Sequence, residues 1–323
     1  MPQKKPLKAI VLAAGKGTRM KSELLKVLHH VAGKPILNYV LDTVLALGVD
    51  DVFLVVGHQA DQVRQAIAYP KVSFVEQTQQ LGTGHAVLQV SPYLENKQDH
   101  TILVLAGDCP LIEVETLTTM LAIHHESNAT GTILTTDMPD PGSYGRIIRG
   151  QMGTVLGIKE AKDCSPRELE ISEINTGVYA FESTALFEQL RRVDTNNAQH
   201  EYYLTDVIRL MKEGGEPIEA YCTSDPDEVV GINTRMDLAK INQIVYQKNN
   251  LRFMEDGVTI LDPNSTFIDS TVKIGHDTII APFTVIQGTT TIAEHCMIGS
   301  HSYLKDASIG AGTELPPMTM THG

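Results

Sequence analysis

The chain has 323 residues, of which 42% are apolar and 20% are charged, and its formal net charge is −13 at pH 7. This composition excludes a disordered or collagen-like chain, and the length suggests two domains. The negative charge argues against a duplex-DNA or anionic-membrane surface, because such partners attract basic patches, whereas one local basic cluster is enough for a nucleotide phosphate.

Cysteine spacing and hydropathy restrict the cellular setting. The four cysteines lie far apart, without a C-x-x-C pair, at Cys109, Cys164, Cys222 and Cys296. In a chain of this length they predict free thiols rather than a disulfide framework, and they indicate a reducing cytoplasm. Neither the cysteines nor the histidines, which form no H-E-x-x-H motif, give sequence support to a zinc site. The longest apolar run is too short to span a bilayer, so we expect no membrane attachment.

The first part of the chain alternates short apolar runs with amphipathic stretches. The apolar runs predict buried parallel strands at 9–13, 52–56, 72–75 and 101–105. The amphipathic stretches predict helices at 35–47, 61–68, 84–90 and 113–127. This alternation is typical of βαβ units, in which a largely parallel sheet is covered by helices on both faces.

The pattern between residues 130 and 233 is more mixed and predicts shorter elements of the same domain. Further strands are expected at 132–135, 146–148, 154–158, 176–181, 218–222 and 229–232. Helices are expected at 183–192 and 205–213. Thr234 and Asp237 then resemble a capping box, which predicts a connecting helix to about Asn250.

After Gly257 an aliphatic residue recurs every six positions. The series consists of Ile268, Ile274, Ile280, Ile286, Ile292, Ile298 and Leu304. Small residues stand two positions before most of them, at Thr266, Thr278, Thr284, Thr290, Cys296 and Ser302. This is the hexapeptide signature of a left-handed β-helix, and it predicts about three coils that end at Pro316-Pro317. Three coils are near the minimum for such a stack, so we expect it to pack on the connecting helix or on another subunit.

A glycine turn follows the first predicted strand and carries positive charge. Gly15 and Gly17 would let backbone N–H groups turn inward, and three cations lie near the turn, namely Lys16, Arg19 and Lys26. The spacing fits neither a Walker A loop nor the dinucleotide-binding fingerprint. An ordinary strand-to-helix turn with solvated charges is the alternative, but three cations in an otherwise acidic chain favour a phosphate-binding turn.

Two polar residues follow predicted strands at the edge where α/β sheets bind ligands. Asp108 comes after the 101–105 run, and Asn233 comes after the 229–232 run. Asp108 could cap the turn before Pro110, and Asn233 could be the N-cap of the connecting helix. Each could also offer an oxygen to Mg²⁺, which binds few protein oxygens together with substrate phosphates. The residues alone leave both roles open.

Several short motifs occur in order after the glycine turn at 12–20. They are Gln77, Leu81-Gly82-Thr83-Gly84-His85-Ala86, Gly107-Asp108-Cys109-Pro110-Leu111, Tyr144-Gly145-Arg146-Ile147, Glu160, Glu173-Ile174-Asn175-Thr176-Gly177, Asn196-Asn197-Ala198-Gln199, Glu201-Tyr202-Tyr203-Leu204-Thr205-Asp206 and Gly231-Ile232-Asn233. This set resembles the sugar-1-phosphate nucleotidylyltransferases. Within them it is similar to the uridylyltransferase half of the bacterial N-acetylglucosamine-1-phosphate uridylyltransferases (UDP-N-acetylglucosamine pyrophosphorylases), from about residue 7 to residue 235 and on into the hexapeptide region.

The resemblance implies a fold class and domain bounds. The implied fold is α/β, with a Rossmann-like nucleotidyltransferase domain built on a mostly parallel sheet, followed by a connecting helix and a short left-handed parallel β-helix. The implied bounds are 1–233 for the nucleotidylyltransferase domain, 234–252 for the connecting helix and 253–323 for the β-helix.

The resemblance also assigns roles to residues. It implies catalytic cations at Lys16, Arg19 and Lys26. It implies nucleotide contacts at Leu12, Ala13, Ala14, Gly15, Gly17, Gln77, Gly82 and Thr83. It implies sugar contacts at Gly145, Glu160, Asn175, Tyr203 and Thr205, although Tyr203 is equally well explained as a core residue. It makes Asp108 and Asn233 the ligands of Mg²⁺.

The implied reaction transfers uridylyl from UTP to N-acetylglucosamine 1-phosphate, with Mg²⁺ as cofactor. It yields pyrophosphate and UDP-N-acetylglucosamine, a precursor for peptidoglycan in cell-wall biogenesis. We expect no acetyltransferase activity, since His295, His301 and His322 do not lie in the acetyltransferase motif of that family. We also expect a cytoplasmic homo-oligomer assembled through the β-helix, with a trimer as one form, and no nucleic-acid or membrane partner.

Three alternatives stay open at this point. The substrate pair could be another sugar 1-phosphate or another nucleoside triphosphate, because Ala106 stands where relatives often have tyrosine. The chain could be a non-catalytic β-helix scaffold, although intact Lys26, Asp108 and Asn233 disfavour this. It could also be a subunit that works with a separate acetyltransferase polypeptide.

Overall fold

The computed structural model describes residues 5–57, 59–94 and 99–322, which divide into two compact units. The first unit comprises Met1–Leu28 and Leu37–Gly231, and the second comprises His29–Ile36 and Ile232–Gly323. The domain bounds implied by the resemblance, at residues 233 and 252, stay a prediction. Among the described residues we find no helix whose length and apolarity would let it cross a membrane.

The described part of the first unit is built on a nine-stranded sheet. Seven of its strands lie side by side in the order Ile218–Thr223, Gly131–Asp137, Glu173–Glu182, Thr101–Ala106, Leu7–Ala13, Asp51–Val56 and Val72–Glu76. Neighbours in this order are parallel, except that Glu173–Glu182 is antiparallel to both of its neighbours. The other two, Arg146–Arg149 and Val155–Lys159, form an antiparallel ribbon beside Glu173–Glu182.

Helices cover both faces of this sheet. In chain order the α-helices are Ile36–Ala46, Ala60–Ala66, Thr83–Leu88, Ser91–Leu94, Val114–Glu126, Pro166–Leu169, Ser183–Leu190 and Asp206–Glu213. Successive strand residues belong to different cores, with Ile10 and Val104 in one and Val11 and Leu105 in the other. Because side chains alternate across a strand, this pattern means that the sheet is buried on both sides.

The strand predicted at 229–232 is wrong. A 3₁₀ turn, Pro226–Val229, occupies the start of this segment, and no strand is assigned to the described residues from there to Asn233. The turn forms because the Asp225 carboxylate accepts a hydrogen bond from the Asp227 N–H at 3.0 Å and Pro226 fixes the first φ angle. The short apolar run therefore follows a capped turn without joining the sheet.

The connecting helix of the second unit is Arg235–Glu255, five residues longer than predicted. Its N-cap is Thr234 rather than Asn233, and the predicted capping box with Asp237 is confirmed. The helix packs on the first coil through an amide, since Asn250 donates from Nδ2 to the carbonyl of Thr266 at 2.8 Å. The short stack thus gains a helical cover at its first coil.

The coils of the second unit stack as three parallel ladders of short strands within the described residues. The first ladder is Thr259–Ile260, Ile279–Ile280, Met297–Ile298 and Glu314–Leu315. The second is Phe267–Ile268, Val285–Gln287, Tyr303–Lys305 and Met320–His322. The third is Lys273–Ile274, Thr291–Ile292 and Ser308–Ile309.

The aliphatic series points inward, and the small residues lie at the corners. Ile280, Ile286 and Ile298 are fully buried, as the six-residue period predicts. The corner hydroxyls of Thr284 and Ser302 donate to turn carbonyls at 2.7 and 2.6 Å. Small hydroxyl residues suit these corners because they fit the bend and satisfy its backbone.

The expected end of the coils at Pro316-Pro317 is wrong, because strands stand on both sides of the two prolines. The prolines lie in a turn, where no ladder N–H is needed. The period also shortens before the prolines, between Leu304 and Ile309. Ile274 pairs with Ile292, 18 residues later, whereas Ile292 pairs with Ile309, 17 residues later. With this adjustment the predicted fold class is confirmed: a mostly parallel α/β domain, a connecting helix and a short left-handed β-helix.

Candidate active site

The glycine turn begins at the carboxyl edge of the sheet, beside the segment that carries Asp108. The strand Leu7–Ala13 pairs in parallel with Thr101–Ala106. The Gly107 N–H continues the ladder beyond that strand and donates to the Leu12 carbonyl at 2.9 Å. Parallel pairing therefore brings the predicted nucleotide contacts Leu12 and Ala13 next to a predicted metal ligand about a hundred residues away in the sequence.

Gly17 is required at its position by both its backbone and its neighbour. Its φ is +59°, and a Cβ at this residue would lie 2.6 Å from Cβ of Lys26. A larger residue would be strained and would displace Lys26. In the 3₁₀ turn that follows, Thr18–Met20, the Met20 side chain is buried. Lys16 and Arg19 are exposed at the surface.

Lys26 and Asp108 form an ion pair through Nζ and Oδ2. Both side chains are largely buried, at 15% and 16% exposure, so the pair is shielded from water on most sides. Such a pair holds a cation and a carboxylate in defined places and stays sensitive to any new charge beside it. Burial and the Asp108 carboxylate raise the pKa of the adjacent Cys109 thiol, which keeps it protonated and inert.

The surroundings of Asp108 fit a small hard cation. A Cβ at Gly231 would lie 3.4 Å from Oδ1 and 3.5 Å from Cγ of Asp108, so this glycine keeps the space beside the carboxylate open. The Gly231 N–H is 3.4 Å from the Tyr144 hydroxyl, which holds the glycine in place. A carboxylate with space beside it suits Mg²⁺, which keeps several of its waters. The other expected ligand, Asn233, belongs to the second unit and stays a prediction.

Two of the residues expected to contact the nucleotide, Gln77 and Gly82, lie against one another. The Gln77 side chain is 3% exposed, and its Nε2 donates to the Gly82 carbonyl at 3.0 Å. Gly82 has a φ of +114°, and a Cβ there would lie 2.5 Å from the Tyr202 carbonyl oxygen. Only glycine allows this close approach of two backbones.

The loop around Gly82 is joined to the loop that carries Tyr203 and Thr205. The Gly84 N–H donates to the Tyr202 carbonyl at 2.8 Å, and the Tyr202 N–H donates to the Leu81 carbonyl at 2.8 Å. The Thr83 hydroxyl accepts from the Leu204 N–H at 3.0 Å. These bonds fix the segment with the predicted nucleotide contacts to the segment with two predicted sugar contacts.

Three of the predicted sugar contacts line one cavity of about 600 Å³ in the first unit. Within it the Thr205 hydroxyl donates to Oε1 of Glu160 at 3.2 Å. Burial raises the pKa of Glu160, an effect that the Thr205 hydrogen bond partly offsets. Burial and the nearby Asp163 carboxylate raise the pKa of Tyr203 to about 12, so its phenol stays neutral. Carboxylate and hydroxyl groups together are suited to a neutral polyol.

The other two predicted sugar contacts are paired with each other. The Asn175 N–H donates to the Gly145 carbonyl at 2.8 Å, and Asn175 Nδ2 donates to the Tyr179 hydroxyl at 2.7 Å. Burial raises the pKa of Tyr179, and the Glu160 carboxylate raises it further. Tyr179 therefore holds the Asn175 side chain, a role that sequence reasoning missed. Its place four residues after Asn175 in a predicted strand was the available signal.

Comparisons with known proteins bear on the family of this chain. Residues 8–244 match the family described as nucleotidyl transferase, and residues 271–306 match the bacterial transferase hexapeptide family of six repeats. The chain is 46% identical over 305 residues to the bifunctional protein GlmU of Halalkalibacterium halodurans, covering 94% of this chain and 67% of that protein. It is 48% identical over 302 residues to GlmU of Listeria welshimeri, covering 94% of this chain and 66% of that protein.

The chain thus spans about two thirds of the length of these relatives. A solved structure of UDP-glucose pyrophosphorylase complexed with UDP-glucose superposes with a TM-score of 0.62 and 16% identity, covering 75% of this chain and 99% of that one. That likeness shows a shared fold. The resemblance stated from the motifs is confirmed: this enzyme belongs to the GlmU family of nucleotidyl transferases.

Proposed function

We propose that this chain transfers uridylyl from UTP to N-acetylglucosamine 1-phosphate, releasing pyrophosphate. The observation that carries the proposal is the Lys26–Asp108 ion pair beside the glycine turn. It supplies a shielded cation and a shielded carboxylate at the sheet edge where nucleotides bind. Phosphoryl chemistry needs such positioned charges rather than a nucleophilic side chain.

The reaction balances without a covalent enzyme intermediate. A phosphate oxygen of the sugar phosphate forms a bond to the α-phosphorus of UTP, and the bond from that phosphorus to the bridging oxygen breaks. The electron pair leaves with pyrophosphate. Lys26 leaves its ion pair with Asp108 and stabilises the crowded phosphates instead. Arg19 assists at the same phosphates, and Lys16 stabilises the departing pyrophosphate.

Mg²⁺ is the cofactor that we propose for this site. Asp108 would hold it, in the space that Gly231 leaves open, and Asn233 is retained as the second expected ligand. When bound, the ion would neutralise phosphate charge and act as a Lewis acid on a phosphoryl oxygen. Asp108 would hold the ion, and Lys26 would interact with the substrate phosphates.

The remaining predicted contacts sort by chemistry. Gln77 Nε2 is bonded to the Gly82 carbonyl, so Gln77 would offer its amide oxygen and Gly82 its peptide groups to the imide edge of uracil. The small residues Ala13, Ala14 and Gly15 allow a close approach of the nucleotide. Glu160 and Thr205 offer acceptors and a donor for sugar hydroxyls, and Tyr203 offers an apolar ring face.

A substrate panel tests the proposal. The purified chain with Mg²⁺ is given UTP or dTTP together with N-acetylglucosamine 1-phosphate, glucose 1-phosphate or glucosamine 1-phosphate, and pyrophosphate release is measured. We expect the fastest release with UTP and N-acetylglucosamine 1-phosphate. A higher kcat/KM with another pair would replace the substrate assignment, and no release with any pair would favour the scaffold hypothesis.

The same panel includes acetyl-CoA with glucosamine 1-phosphate. We expect no release of free CoA thiol, since we propose that this chain lacks acetyltransferase activity. Thiol release would contradict that expectation. With UTP also present, pyrophosphate release from glucosamine 1-phosphate only after a separate acetyltransferase is added would support the hypothesis of a two-polypeptide system.

We also propose a cytoplasmic homo-oligomer that forms through the coils. Four free thiols support a reducing compartment. Large apolar side chains stand on the outside of the coils, including Phe283 at 58% and Met318 at 76% exposure. Exposed apolar groups of this size are typical of association surfaces. Size-exclusion chromatography with light scattering measures the molar mass of the assembly. A monomer at micromolar concentration would contradict the proposal.

A further inference from the structure

Two histidines and an aspartate, none of them assigned a role in uridylyl transfer, cluster on the outside of the β-helix. They are His276, Asp277 and His295, and one ligand atom from each lies within 4.8 Å of the other two. Nδ1 of His276 is 2.8 Å from Oδ2 of Asp277, and Nδ1 of His295 is 3.8 Å from the same oxygen. All three side chains are more than half exposed, at 61% to 67%.

The β-helix itself builds this cluster. Asp277 and His295 are 18 residues apart and occupy the same corner of neighbouring coils, directly before the buried residues Thr278 and Cys296. Both have left-handed backbone, with φ of 56° and 59°. The His295 N–H donates to the His276 carbonyl at 3.2 Å, which joins the two turns. The side chains are therefore placed by the coil stacking and do not depend on a mobile loop.

We propose that His276, Asp277 and His295 bind one divalent transition-metal ion, such as Zn²⁺, which bridges two neighbouring coils. Two imidazole nitrogens and one carboxylate oxygen are ligands that Zn²⁺ accepts. Tetrahedral ligands at bond lengths of about 2.1 Å stand about 3.4 Å apart. The separations from Asp277, 2.8 and 3.8 Å, bracket that value, and all three ligand atoms lie within 4.8 Å of one another, so side-chain rotations would complete the site.

The donor set separates this site from the proposed Mg²⁺ site. Imidazole suits zinc, nickel and copper, whereas Mg²⁺ prefers oxygen ligands and keeps its waters. The exposure of the cluster leaves a coordination position for water or for another ligand. Because the ion would join two turns of the stack, we expect it to stabilise the β-helix against unfolding.

The next corner of the coils provides an internal control. Phe283 and His301 occupy the same two positions one hexapeptide further along, with φ of 60° and 59°. Their rings stack at 4.9 Å between centroids. The backbone at this corner is thus equivalent, but a phenyl ring stands where the first corner has a carboxylate. His301 is therefore matched to His295 in conformation without the same ligand set.

Titration calorimetry with Zn²⁺ tests the proposal on the full chain in saturating Mg²⁺. The variants are His295→Asn and the control His301→Asn, since asparagine tolerates a positive φ. We expect one Zn²⁺ per chain in the wild type and in His301→Asn, and an affinity lower by about tenfold or more in His295→Asn. Melting temperatures measured with and without Zn²⁺ should rise for the first two proteins and stay constant for His295→Asn.

Equal Zn²⁺ affinity in the wild type and His295→Asn would overturn the proposal, as would an equal loss in the control variant. Asp277→Asn gives a second variant that keeps the corner conformation and removes the carboxylate, and it should lose Zn²⁺ affinity as well. Far-UV circular dichroism without metal confirms that each variant is folded. None of these measurements depends on uridylyl transfer.

Discussion

The coils of the second unit and the glycine turn of the first unit use their residues in opposite ways. In the coils, an aliphatic residue recurs every six positions. Ile286 fills the core of its coil as Ile298 fills the core of the next one. In the turn, Gly17, Lys26 and Asp108 each do something that no other residue duplicates. A change in the coils should therefore cost mainly folding free energy, whereas a change at the turn should cost mainly reaction rate.

The largest effect is expected from a cavity inside the coils. Ile298 is fully buried, so Ile298→Ala should lower the free energy of unfolding by about 2–5 kcal/mol, the usual cost of an unfilled core site. The matched control is Met297→Ala, because its neighbour Met297 is 46% exposed, and it should change stability by less than about 0.5 kcal/mol. Denaturant unfolding measures both. Equal losses would show that the coils are not packed around the aliphatic series.

At the glycine turn, Lys26→Ala should lower kcat/KM on the order of 10²-fold, comparable with the loss of one preorganised donor. Lys21→Ala is the control, because Lys21 lies in the same segment and is exposed. Pyrophosphate release measures the rate of both variants. Wild-type activity in Lys26→Ala would contradict the assignment of Lys26 to the reaction, and with it the contrast between the turn and the coils.

Gly17→Ala extends the comparison to a residue without any functional group. The new Cβ would meet the Lys26 side chain at 2.6 Å and would have to adopt a φ of +59°. We expect kcat/KM to fall by roughly tenfold or more, because a displaced cation loses its alignment with the phosphates. Gly215→Ala has a similar backbone strain, with φ of +81°, but open space around it, so it should leave the rate unchanged. Equal rates for the two variants would mean that Gly17 does not position Lys26.

The coils and the glycine turn also differ in how much of their structure the sequence predicts. The buried series through Ile286 was predictable because a repeat shows its period in the chain itself. The shift that brings Ile309 opposite Ile292 was not, because one missing residue in a turn leaves the apolar pattern almost intact. In the first unit, the cations of the turn were predictable as a group. The Lys26–Asp108 ion pair was not, since it joins residues 82 apart and depends on which strands are neighbours in the sheet.

The cavity of the first unit is an intermediate case, because one side chain there is expected to affect both folding and rate. Burial raises the pKa of Glu160 from its ordinary value of 4.5, so the folded protein binds this proton more tightly than the unfolded chain. Above that ordinary value the buried charge therefore lowers stability, and the cost grows as the pH rises through the folded pKa. Glu160→Gln should accordingly be more stable than the wild type at pH 7, with a difference that shrinks as the pH approaches 4.

The same variant should raise KM for the sugar phosphate by about tenfold, since a hydrogen bond to a charged acceptor becomes one to a neutral amide. Denaturant unfolding at the two pH values and initial rates at pH 7 measure the two effects separately. Glu213→Gln is the control, because Glu213 is 59% exposed and lies outside the cavity lining. A gain in stability with an unchanged KM would show that Glu160 is a destabilising buried charge that does not contact the sugar. A raised KM without the gain would show that the sugar site does not hold a destabilised carboxylate.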